Sequence, residues 1–303
     1  MAYFLAIDGG GTKTECVIGD ERSVLASAVG STIKIKKVGN KAAAEVLQSA
    51  INDACKQANI RPDQFSRTCI GLAGSSIPEV SQWTRATLTQ LVSGEVILVN
   101  DTTIAHHAAF NGGPGVLVIA GTGSNVLGVN ERGESARAGG WGPIISDEGS
   151  GFWIGRTAVA QSMRAHDAGR STELLSAIMH AWRLSSREEV VAMANSNPPP
   201  DFAALLPAVL QCADAGDALA REILSSAANE LAQLARIVVR KLWNEDGKIL
   251  IALTGGVFAH SVQIREMFSN AIRAERRGIE VNPDPVHPIM GALAMARSSS
   301  VIP

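Results

Sequence analysis

Two glycine-rich segments in different halves of the chain have the residue types and spacing that bind phosphate. Residues 9–12 read Gly-Gly-Gly-Thr, residues 121–124 read Gly-Thr-Gly-Ser, and each segment follows an apolar run. Glycine lets the backbone approach an anion with its N–H groups pointing inward, and the adjacent hydroxyl adds a donor. The segments therefore predict two phosphate-binding turns that can hold one polyphosphate from both sides.

The two segments also look like copies of one hairpin. Each continues into a second apolar run and then a Glu-Arg pair, at residues 21–22 and 131–132, where the chain should turn again. The Walker motif is excluded because the lysine follows a threonine, and the dinucleotide motif is excluded because Val126 stands where its third glycine would be. Two ordinary glycine-rich hairpins that bind no ligand are the alternative.

The composition is that of a globular protein with two domains. The chain has 303 residues, 46% hydrophobic and 18% charged, which is enough to form large cores. Its net charge of -2, with no basic stripe, excludes the electrostatic pattern of a nucleic-acid-binding protein. No apolar stretch approaches the length of a membrane span, and Asp8 interrupts the apolar N-terminal run. We expect a cytoplasmic protein with no membrane partner.

The cysteines and histidines follow no metal-binding motif. The 4 cysteines are scattered singly, unlike a C-x-x-C motif, and we expect buried, reduced thiols. The side chains of His106 and His107 would point about 100° apart on a helix, which is poor geometry for one metal ion.

The order of the predicted elements indicates an α/β protein in which one pattern occurs twice. The first half has a hairpin, a strand at 23–29, a helix at 41–58, a strand at 68–72, a helix at 80–91, a strand at 96–99 and a helix from 104. The second half has a hairpin at 116–129, a helical region at 152–243 interrupted at 195–200, a strand at 249–253, a helix from 261, a strand at 279–281 and a final helix at 289–296. Three strands followed by alternating helices and strands are typical of the α/β class.

Six segments in matching order resemble the N-acetylglucosamine kinases. They are Asp8-Gly-Gly-Gly-Thr-Lys13, Asn100-Asp101, Gly121-Thr-Gly-Ser-Asn125, Gly139-Gly-Trp-Gly142, Asp147-Glu-Gly-Ser-Gly151 and Leu253-Thr-Gly-Gly-Val257. These kinases share the fold of sugar kinases, Hsp70 and actin, and they are grouped with the BadF/BadG/BcrA/BcrD-type ATPases. The resemblance spans nearly the whole chain.

The resemblance implies two ribonuclease-H-like (actin-like ATPase) domains around a central ATP cleft. Residues 1–113 would form the N-terminal domain and residues 114–288 the C-terminal domain, and a helix within residues 289–303 would pack back on the first domain. The implied activity is that of an ATP-dependent sugar kinase, a phosphotransferase with an alcohol group as acceptor, that uses Mg²⁺. We expect a homodimer.

On this resemblance, the duplicated turns bind the phosphates of ATP. The residues that would bind the nucleotide are Gly9, Gly10, Gly11, Thr12, Lys13, Gly121, Thr122, Gly123 and Ser124, with Gly255, Gly256 and Ala227 on the adenosine side. Paired glycines after a strand would let the purine or ribose lie against bare backbone. A simple strand-to-helix turn is the alternative for that pair.

Two aspartates at predicted strand ends are candidates for metal binding and catalysis. Asp8 ends the first strand, where its carboxylate would hold Mg²⁺ through water or, alternatively, cap the turn. Asp101 follows the strand at 96–99 and would accept the proton of the attacking hydroxyl. Because aspartate is a preferred N-cap residue, Asp101 could instead cap the next helix.

The glycine-rich segment from residue 138 to residue 151 suits a hexose pocket. Carboxylates and amides hydrogen-bond sugar hydroxyls, and an aromatic ring contacts the sugar face. The resemblance places Asn125, Gly140, Trp141, Gly142 and Asp147 at the sugar. A purely structural loop is the alternative. Glu148, just before the Gly-Ser-Gly start of a predicted helix, could serve the dipole of that helix instead of the sugar.

One departure leaves the acceptor open. The N-acetylglucosamine kinases place Ser-Thr-Asn after the third strand, and that asparagine binds the sugar, whereas here Ser31-Thr32 is followed by Ile33 and Lys34. N-acetylglucosamine and glucosamine are therefore both candidate acceptors. Two other functions stay open: a BadF/BcrA-type ATPase that activates a partner enzyme, and a catalytically weak sugar-binding regulator. The cysteines that hold an iron–sulfur cluster in such activators have no counterpart here.

Overall fold

The computed structural model describes residues 2–244 and 247–298. The described chain forms two compact units. The first contains the residues up to 113 together with those from 286, and the second contains residues 114–285. Each unit is built on one five-stranded sheet.

The first sheet begins with an antiparallel meander and continues with parallel strands. Its strands are β1 (Tyr3–Gly9), β2 (Lys13–Gly19), β3 (Val24–Ser31), β4 (Phe65–Leu72) and β5 (Glu95–Val99), in the order β3-β2-β1-β4-β5. Both β4 and β5 run parallel to the central strand β1. The carboxyl ends of these three strands therefore meet at one edge of the sheet.

Four helices of the first unit follow the meander in the chain. They are α1 (Ile35–Val38), α2 (Asn40–Ala58), α3 (Pro78–Leu91) and α4 (Asp101–Phe110). Helix α4 begins three residues before its predicted start, because the side chain of Asn100 accepts a hydrogen bond from the N–H of Thr102 and caps the helix.

The second sheet repeats the topology of the first. Its strands are β6 (Gly115–Ala120), β7 (Ser124–Val129), β8 (Ser135–Gly139), β9 (Ile249–Thr254) and β10 (Ile279–Val281), in the order β10-β9-β6-β7-β8. Strand β8, which the sequence analysis missed, completes the meander. The turns after β2 and β7 are also alike, since the side chains of Asp20 and Asn130 each accept two backbone N–H bonds. The repeated topology supports an internal duplication.

The second unit carries the larger set of helices. They are α5 (Gly151–Asp167), α6 (Leu174–Trp182), α7 (Arg187–Ala194), α8 (Leu206–Asp214), α9 (Ala218–Leu242), α10 (Gly256–His260) and α11 (Val262–Arg273). The sequence predicted a single break at residues 195–200. The chain also breaks near Gly169, Arg183 and Gly216, each of which has a positive φ that ends a right-handed helix. Helix α9 buries one long face in the core of this unit.

The helices within residues 2–244 and 247–298 differ in length and in apolar character. No single helix there is long and apolar enough to cross a membrane, although the bent pair Phe202–Asp214 and Ala218–Leu242 meets the length and composition criteria together.

The last helix, α12 (Pro288–Arg297), belongs to the first unit. That unit resumes at residue 286, three residues before the predicted position, and residues 299–303 of the predicted segment lie outside the described residues. The side chains of β1 alternate between two cores. Leu5 and Ile7 pack with residues of α2 and α3, whereas Phe4 and Ala6 pack with residues of α4 and α12.

Helices α4 and α12 make a close backbone contact at Gly291. A Cβ atom at this position would overlap the carbonyl oxygen of Ile104 and would lie 2.6 Å from the backbone nitrogen of Ala108. The guanidinium of Arg297 holds the other end of α12 by donating to the carbonyl oxygens of Asp20 and Ser23. The position of α4, whose first residue is Asp101, therefore depends on the glycine at 291.

We expect Gly291→Ala to destabilise the first unit by about 1–3 kcal/mol, because the clash involves backbone atoms that no rotamer change can move. Urea unfolding measures the loss. Gly247→Ala is the control, since a Cβ atom there would meet nothing within 4 Å. Equal unfolding midpoints for the two variants would contradict a close contact between α4 and α12.

Candidate functional site

Two aspartates lie at the edge of the first sheet where the parallel strands end. Asp8 is the penultimate residue of β1 and is paired in register with Gly71 of β4. Asp101 follows β5 by two residues and is the first residue of α4. The strand topology thus brings two carboxylates from distant parts of the sequence to one edge, as expected for ligand sites in α/β sheets.

The pKa of Asp8 reflects this position. Burial raises it from 3.8 to about 6, and the negative charges of Asp101 and Glu15 add to the rise, while Lys13 opposes it. The ionised form of Asp8 is therefore less stable in the protein than in water, and a bound cation would offset both causes.

Asp101 is not the cap of α4, so that alternative is wrong. Asn100 occupies the N-cap position, and its Oδ1 accepts from both the N–H and the hydroxyl of Thr102, at 3.1 and 3.0 Å. One carboxylate oxygen of Asp101 lies 2.9 Å from the same N–H. In the first turn, the helix dipole favours its ionised form.

The first glycine-rich turn connects β1 and β2. The N–H of Gly10 donates to the carbonyl of Lys13, at 2.9 Å, and the hydroxyl of Thr32 donates to the carbonyl of Gly10, at 3.0 Å. Among the described residues of the first unit, the N–H groups of Gly11 and Thr12 have no partner, and a Cβ atom at Gly11 would meet nothing within 4 Å. Two adjacent free donors facing open space are suited to an anion.

Other residues predicted at this turn have structural partners. A Cβ atom at Gly9 would lie 2.6 Å from the Cδ1 of Leu72 and 3.1 Å from that of Ile33, so core packing requires this glycine. The ammonium of Lys13 lies 3.4 Å from the carboxylate of Glu15 on the surface.

Residues 33 and 34, which replace the sugar-binding asparagine of the N-acetylglucosamine kinases, lie in two different environments. Ile33 is fully buried in the core that contains Leu5 and Ile7, whereas Lys34 is exposed and occupies the N-cap position before α1. Neither residue therefore provides a buried polar side chain that could reach a ligand in place of the asparagine of the N-acetylglucosamine kinases.

The second glycine-rich turn connects β6 and β7 and packs against the start of α5. The N–H of Gly121 donates to the carbonyl of Gly123, and the carbonyls of Gly121 and Thr122 accept from Gly151 and Phe152, at 2.8 and 3.2 Å. In the part of the second unit that the structure describes, the N–H groups of Thr122 and Gly123 have no partner, and a Cβ atom at Gly121 would meet nothing within 4 Å. This turn therefore also has two adjacent free donors.

Ser124 joins this turn to the acidic segment at residues 146–150. Its N–H donates to the Oδ1 of Asp147, at 3.2 Å, and its hydroxyl donates to the carbonyl of Glu148, at 2.8 Å. Asp147 is buried at a positive φ of 67°, and a Cβ atom at Gly123 would lie 2.9 Å from its Oδ2. The hydroxyl predicted to bind phosphate is thus engaged in holding the turn on the acidic segment.

The predicted sugar segment has an exposed aromatic ring beside a cation. Trp141 is 74% exposed, and the guanidinium carbon of Arg137 lies 5.8 Å from its ring centroid. The Oδ1 of Asn125 is buried and has no hydrogen-bond partner in the second unit. Gly140 and Gly142 adopt positive φ angles of 73° and 98°, which favour glycine. Arg137 was missed because no sequence motif surrounds it.

The residues predicted on the adenosine side differ in their surroundings. Gly255 has a φ of 101°, and a Cβ atom there would overlap the carbonyl oxygen of Ala120, whereas Gly256 is open apart from a His260 carbon 4.0 Å away. The side chain of Ala227 is fully buried in α9. The structure therefore gives no surface at Ala227 for a direct contact with a nucleotide.

The donor set in the first unit suits magnesium. Within residues 2–244 and 247–298, no group of three or more His, Cys, Asp or Glu side chains could hold a metal ion. Mg²⁺ is usually bound by one or two protein carboxylates together with phosphates and water. Asp8, with its raised pKa, fits that pattern.

Comparison with known families gives one match over nearly the whole chain. The model of the BadF/BadG/BcrA/BcrD ATPase family matches residues 5–296.

Individual relatives match over similar lengths. An N-acetylmuramic acid/N-acetylglucosamine kinase of Clostridium acetobutylicum is 30% identical over 98% of this chain and 99% of its own. An N-acetyl-D-glucosamine kinase of Dictyostelium discoideum is 30% identical over 98% of each chain. The solved structure of a proposed N-acetylglucosamine kinase from Chromobacterium violaceum has a TM-score of 0.77 at 24% identity and covers 98% of this chain and 99% of its own. The predicted α/β fold with two sheets is confirmed.

We expect Asp8→Asn to stabilise the Mg²⁺-free protein at neutral pH by about 1–3 kcal/mol, since about two pKa units correspond to at most about 3 kcal/mol. A raised carboxyl pKa means that the folded state keeps a proton that the unfolded state loses. The advantage of Asp8→Asn should therefore be absent below pH 3.8, grow up to about pH 6 and then stay constant.

Thermal unfolding of both proteins across this pH range measures the difference. Asp20→Asn is a control of opposite sign, because the backbone N–H groups of Ser23 and Arg22 lower the pKa of Asp20. Asp20→Asn should be less stable than the wild type at neutral pH, and this difference should disappear in acid. A pH-independent difference for Asp8→Asn would contradict the raised pKa.

Proposed function

Because the chain belongs to the BadF/BadG/BcrA/BcrD ATPase family, as the sequence resemblance predicted, we propose that it is an ATP-dependent kinase that phosphorylates a hexosamine. Relatives at 30% identity over nearly their full length are named as amino sugar kinases. The observation that carries the proposal is the carboxylate pair, Asp8 and Asp101, at the strand ends beside a turn with free N–H donors. N-acetylglucosamine and glucosamine are the proposed acceptors.

Each glycine-rich turn is proposed to bind phosphate oxygens of ATP. The donors would be the free N–H groups of Gly11 and Thr12 in the first unit and of Thr122 and Gly123 in the second. Lys13 would add positive charge, although its ion pair with Glu15 must then rearrange. The open space at Gly11 and Gly121 supports this assignment, because an anion can approach both turns closely.

Asp8 is proposed to hold Mg²⁺, directly or through water. When bound, this ion neutralises charge on the phosphates, which is a main requirement of phosphoryl transfer. Binding would also lower the pKa of Asp8, because the charge of the cation opposes the effects of burial and repulsion that raise it.

Asp101 is proposed to orient the acceptor hydroxyl and to accept its proton as the phosphoryl group transfers. The first-turn position favours an ionised carboxylate, and Asn100 caps the helix in its place. The carboxylate of Asp101 is thus not required to cap the start of the helix and is suited to a catalytic role.

The sugar is proposed to lie on the surface around Trp141. The exposed ring can contact a sugar face, and the buried Oδ1 of Asn125 lacks a partner that a sugar hydroxyl could provide. Gly140 lies against the side chain of Asn125, and the backbone at Gly142 is open, since a Cβ atom there would meet nothing within 4 Å. Asp147 would accept a sugar hydroxyl while its other oxygen holds the N–H of Ser124.

The activator alternative is less favoured by the state of the cysteines. All four are buried, and burial raises the pKa of the Cys16 and Cys69 thiols to about 12. A cluster ligand must be a thiolate, which such burial disfavours. A homodimer and a cytoplasmic location stay predictions, and light scattering of the purified protein tests the first.

A panel of sugars assayed with Mg-ATP tests the proposed function. N-acetylglucosamine, glucosamine, N-acetylmannosamine and glucose are supplied separately, and both ADP and sugar phosphate are measured. Formation of one sugar phosphate for each ADP with a hexosamine is the expected result. ADP formation at the same rate with and without every sugar would contradict a kinase and support the activator alternative.

We expect Asp101→Asn to lower kcat by about 10²- to 10⁴-fold, the usual effect of removing a general base, while Mg-ATP and sugar still bind. Steady-state kinetics and calorimetry measure the two effects. Asp63→Asn, at an exposed Asp that pairs with Arg61, is the matched control and should behave like the wild type. A near-normal kcat for Asp101→Asn would contradict its role as base.

We expect Gly11→Val and Gly121→Val to weaken ATP binding at nearly unchanged stability, because the added methyl groups enter open space. Gly9→Val should instead lower stability, since its side chain meets Leu72 and Ile33. Calorimetric titration with ATP and urea unfolding separate the two effects. Normal ATP affinity in both of the first two variants would contradict the phosphate-binding turns.

We expect Asp147→Ala to raise KM for the sugar and also KM for ATP, because the same carboxylate holds the N–H of Ser124. A charge-assisted hydrogen bond of about 1.5–3 kcal/mol corresponds to about 10- to 100-fold in each constant. Trp141→Ala should raise only the KM for the sugar. Unchanged constants in Asp147→Ala would show that the acidic segment is a structural loop.

A further inference from the structure

A group of lysines follows β3 at the same edge of the first sheet as Asp8. Strand β3 is antiparallel to β2, and β2 is antiparallel to β1, so β3 runs parallel to β1. Its carboxyl end therefore lies at the edge where β1, β4 and β5 end. The segment after β3 contains Lys34, Lys36 and Lys37, which are all exposed. These lysines lie on the β3 side of the first glycine-rich turn, whereas Asp101 follows β5 at the other end of the sheet.

Two contacts join the start of this segment to the first glycine-rich turn. The buried hydroxyl of Thr32 donates to the carbonyl of Gly10, at 3.0 Å, and accepts the N–H of Lys34, at 3.1 Å. The next residue, Ile33, packs against Gly9, where a Cβ atom would lie 3.1 Å from its Cδ1. The carbonyl of Lys34 accepts an N–H of α1 at 2.7 Å. The backbone of Lys34 is thus held on both sides, with one hydroxyl between it and the turn.

The lysines around this turn differ in whether their charge is compensated. The ammonium of Lys13 lies 3.4 Å from the carboxylate of Glu15. In the described part of the first unit, Lys34 makes no ion pair, and Lys36 and Lys37 make none either. Lys34 therefore has an uncompensated positive charge next to a turn with two free N–H donors.

The chemistry of the proposed reaction requires a cation at this place. Phosphoryl transfer depends on positioning the γ-phosphate and on stabilising its negative charge. An ammonium on a flexible four-carbon stem can contact phosphate oxygens as a point charge. Because Asp101, the proposed base, lies at the same sheet edge, the first turn is the turn that would hold the transferring group.

We propose that Lys34 binds the γ-phosphate of ATP at the first glycine-rich turn. The inference rests on the proposed function and adds to it a residue that binds the transferring group. Thr32 and Ile33 fix the backbone of Lys34 on the turn, so only its side chain has to move when the nucleotide binds.

The test compares two nucleotides that differ in the γ-phosphate. Mg-ADP and the Mg²⁺ complex of the non-hydrolysable imido analogue of ATP are each titrated calorimetrically into the wild type and into Lys34→Met. We expect Lys34→Met to bind the ATP analogue about 10-fold more weakly, the usual effect of losing a charge-assisted hydrogen bond. Its affinity for Mg-ADP should equal that of the wild type. The ratio of the two Kd values should therefore change about 10-fold.

Three further variants separate a contact from a general effect of charge. Lys36→Met and Lys37→Met remove the same charge from the same exposed segment, and we expect the wild-type ratio in both. Lys34→Arg keeps a cation at the position, and we expect a ratio close to that of the wild type. All four variants should unfold in urea at the wild-type midpoint, because the altered side chains are exposed.

The outcomes separate this inference from the proposed function. If the wild type binds neither nucleotide and forms no hexosamine phosphate, the proposed function fails, and the inference fails with it. The inference alone is overturned if the wild type is a hexosamine kinase and Lys34→Met keeps the wild-type ratio of Kd values. Equal losses in the variants at Lys34, Lys36 and Lys37 would also overturn it, because the effect would then be that of a long-range field. A higher KM for the sugar with an unchanged ratio would assign Lys34 to the acceptor and contradict the inference.

Discussion

The burial of Asp8 close to a second carboxylate, that of Asp101, at one edge of the first sheet is the constraint on which the proposed site depends. Burial and like charge raise the pKa of Asp8 to about 6, so the fold keeps a carboxylate where the protein alone does not favour it. The parallel strands β1, β4 and β5 impose this arrangement, and α12 fixes the start of α4 through the contact at Gly291. Such unfavourable charge is typical of sites that bind a cation or perform proton transfer.

The second unit repeats the strand topology of the first unit but has no aspartate at the position that corresponds to Asp8. Ala120 stands where the first copy has Asp8, before the corresponding glycine. Its turn is instead held by Ser124, whose N–H and hydroxyl donate to Asp147 and Glu148. The first unit thus carries the two carboxylates. The second unit instead carries a turn that is joined to the segment containing Trp141.

Sequence reasoning predicted the α/β fold, both turns and the strand-end aspartates, because hydrophobic periodicity and glycine spacing are local signals. It did not predict that Gly9 serves core packing, since Leu72 and Ile33 approach it from other elements. It also missed the contact between Arg137 and the ring of Trp141 across a turn. Contacts of this kind arise from tertiary packing and leave no spacing pattern in the chain.

The most direct test of the carboxylate pair is a ¹³C NMR titration of the Asp8 side chain without Mg²⁺, in the wild type and in Asp101→Asn. A pKa of about 6 in the wild type, and a lower one in the variant because one cause of the rise is removed, is the predicted result. An Asp8 pKa near 3.8 in both proteins would contradict a shared charged centre at this edge of the sheet.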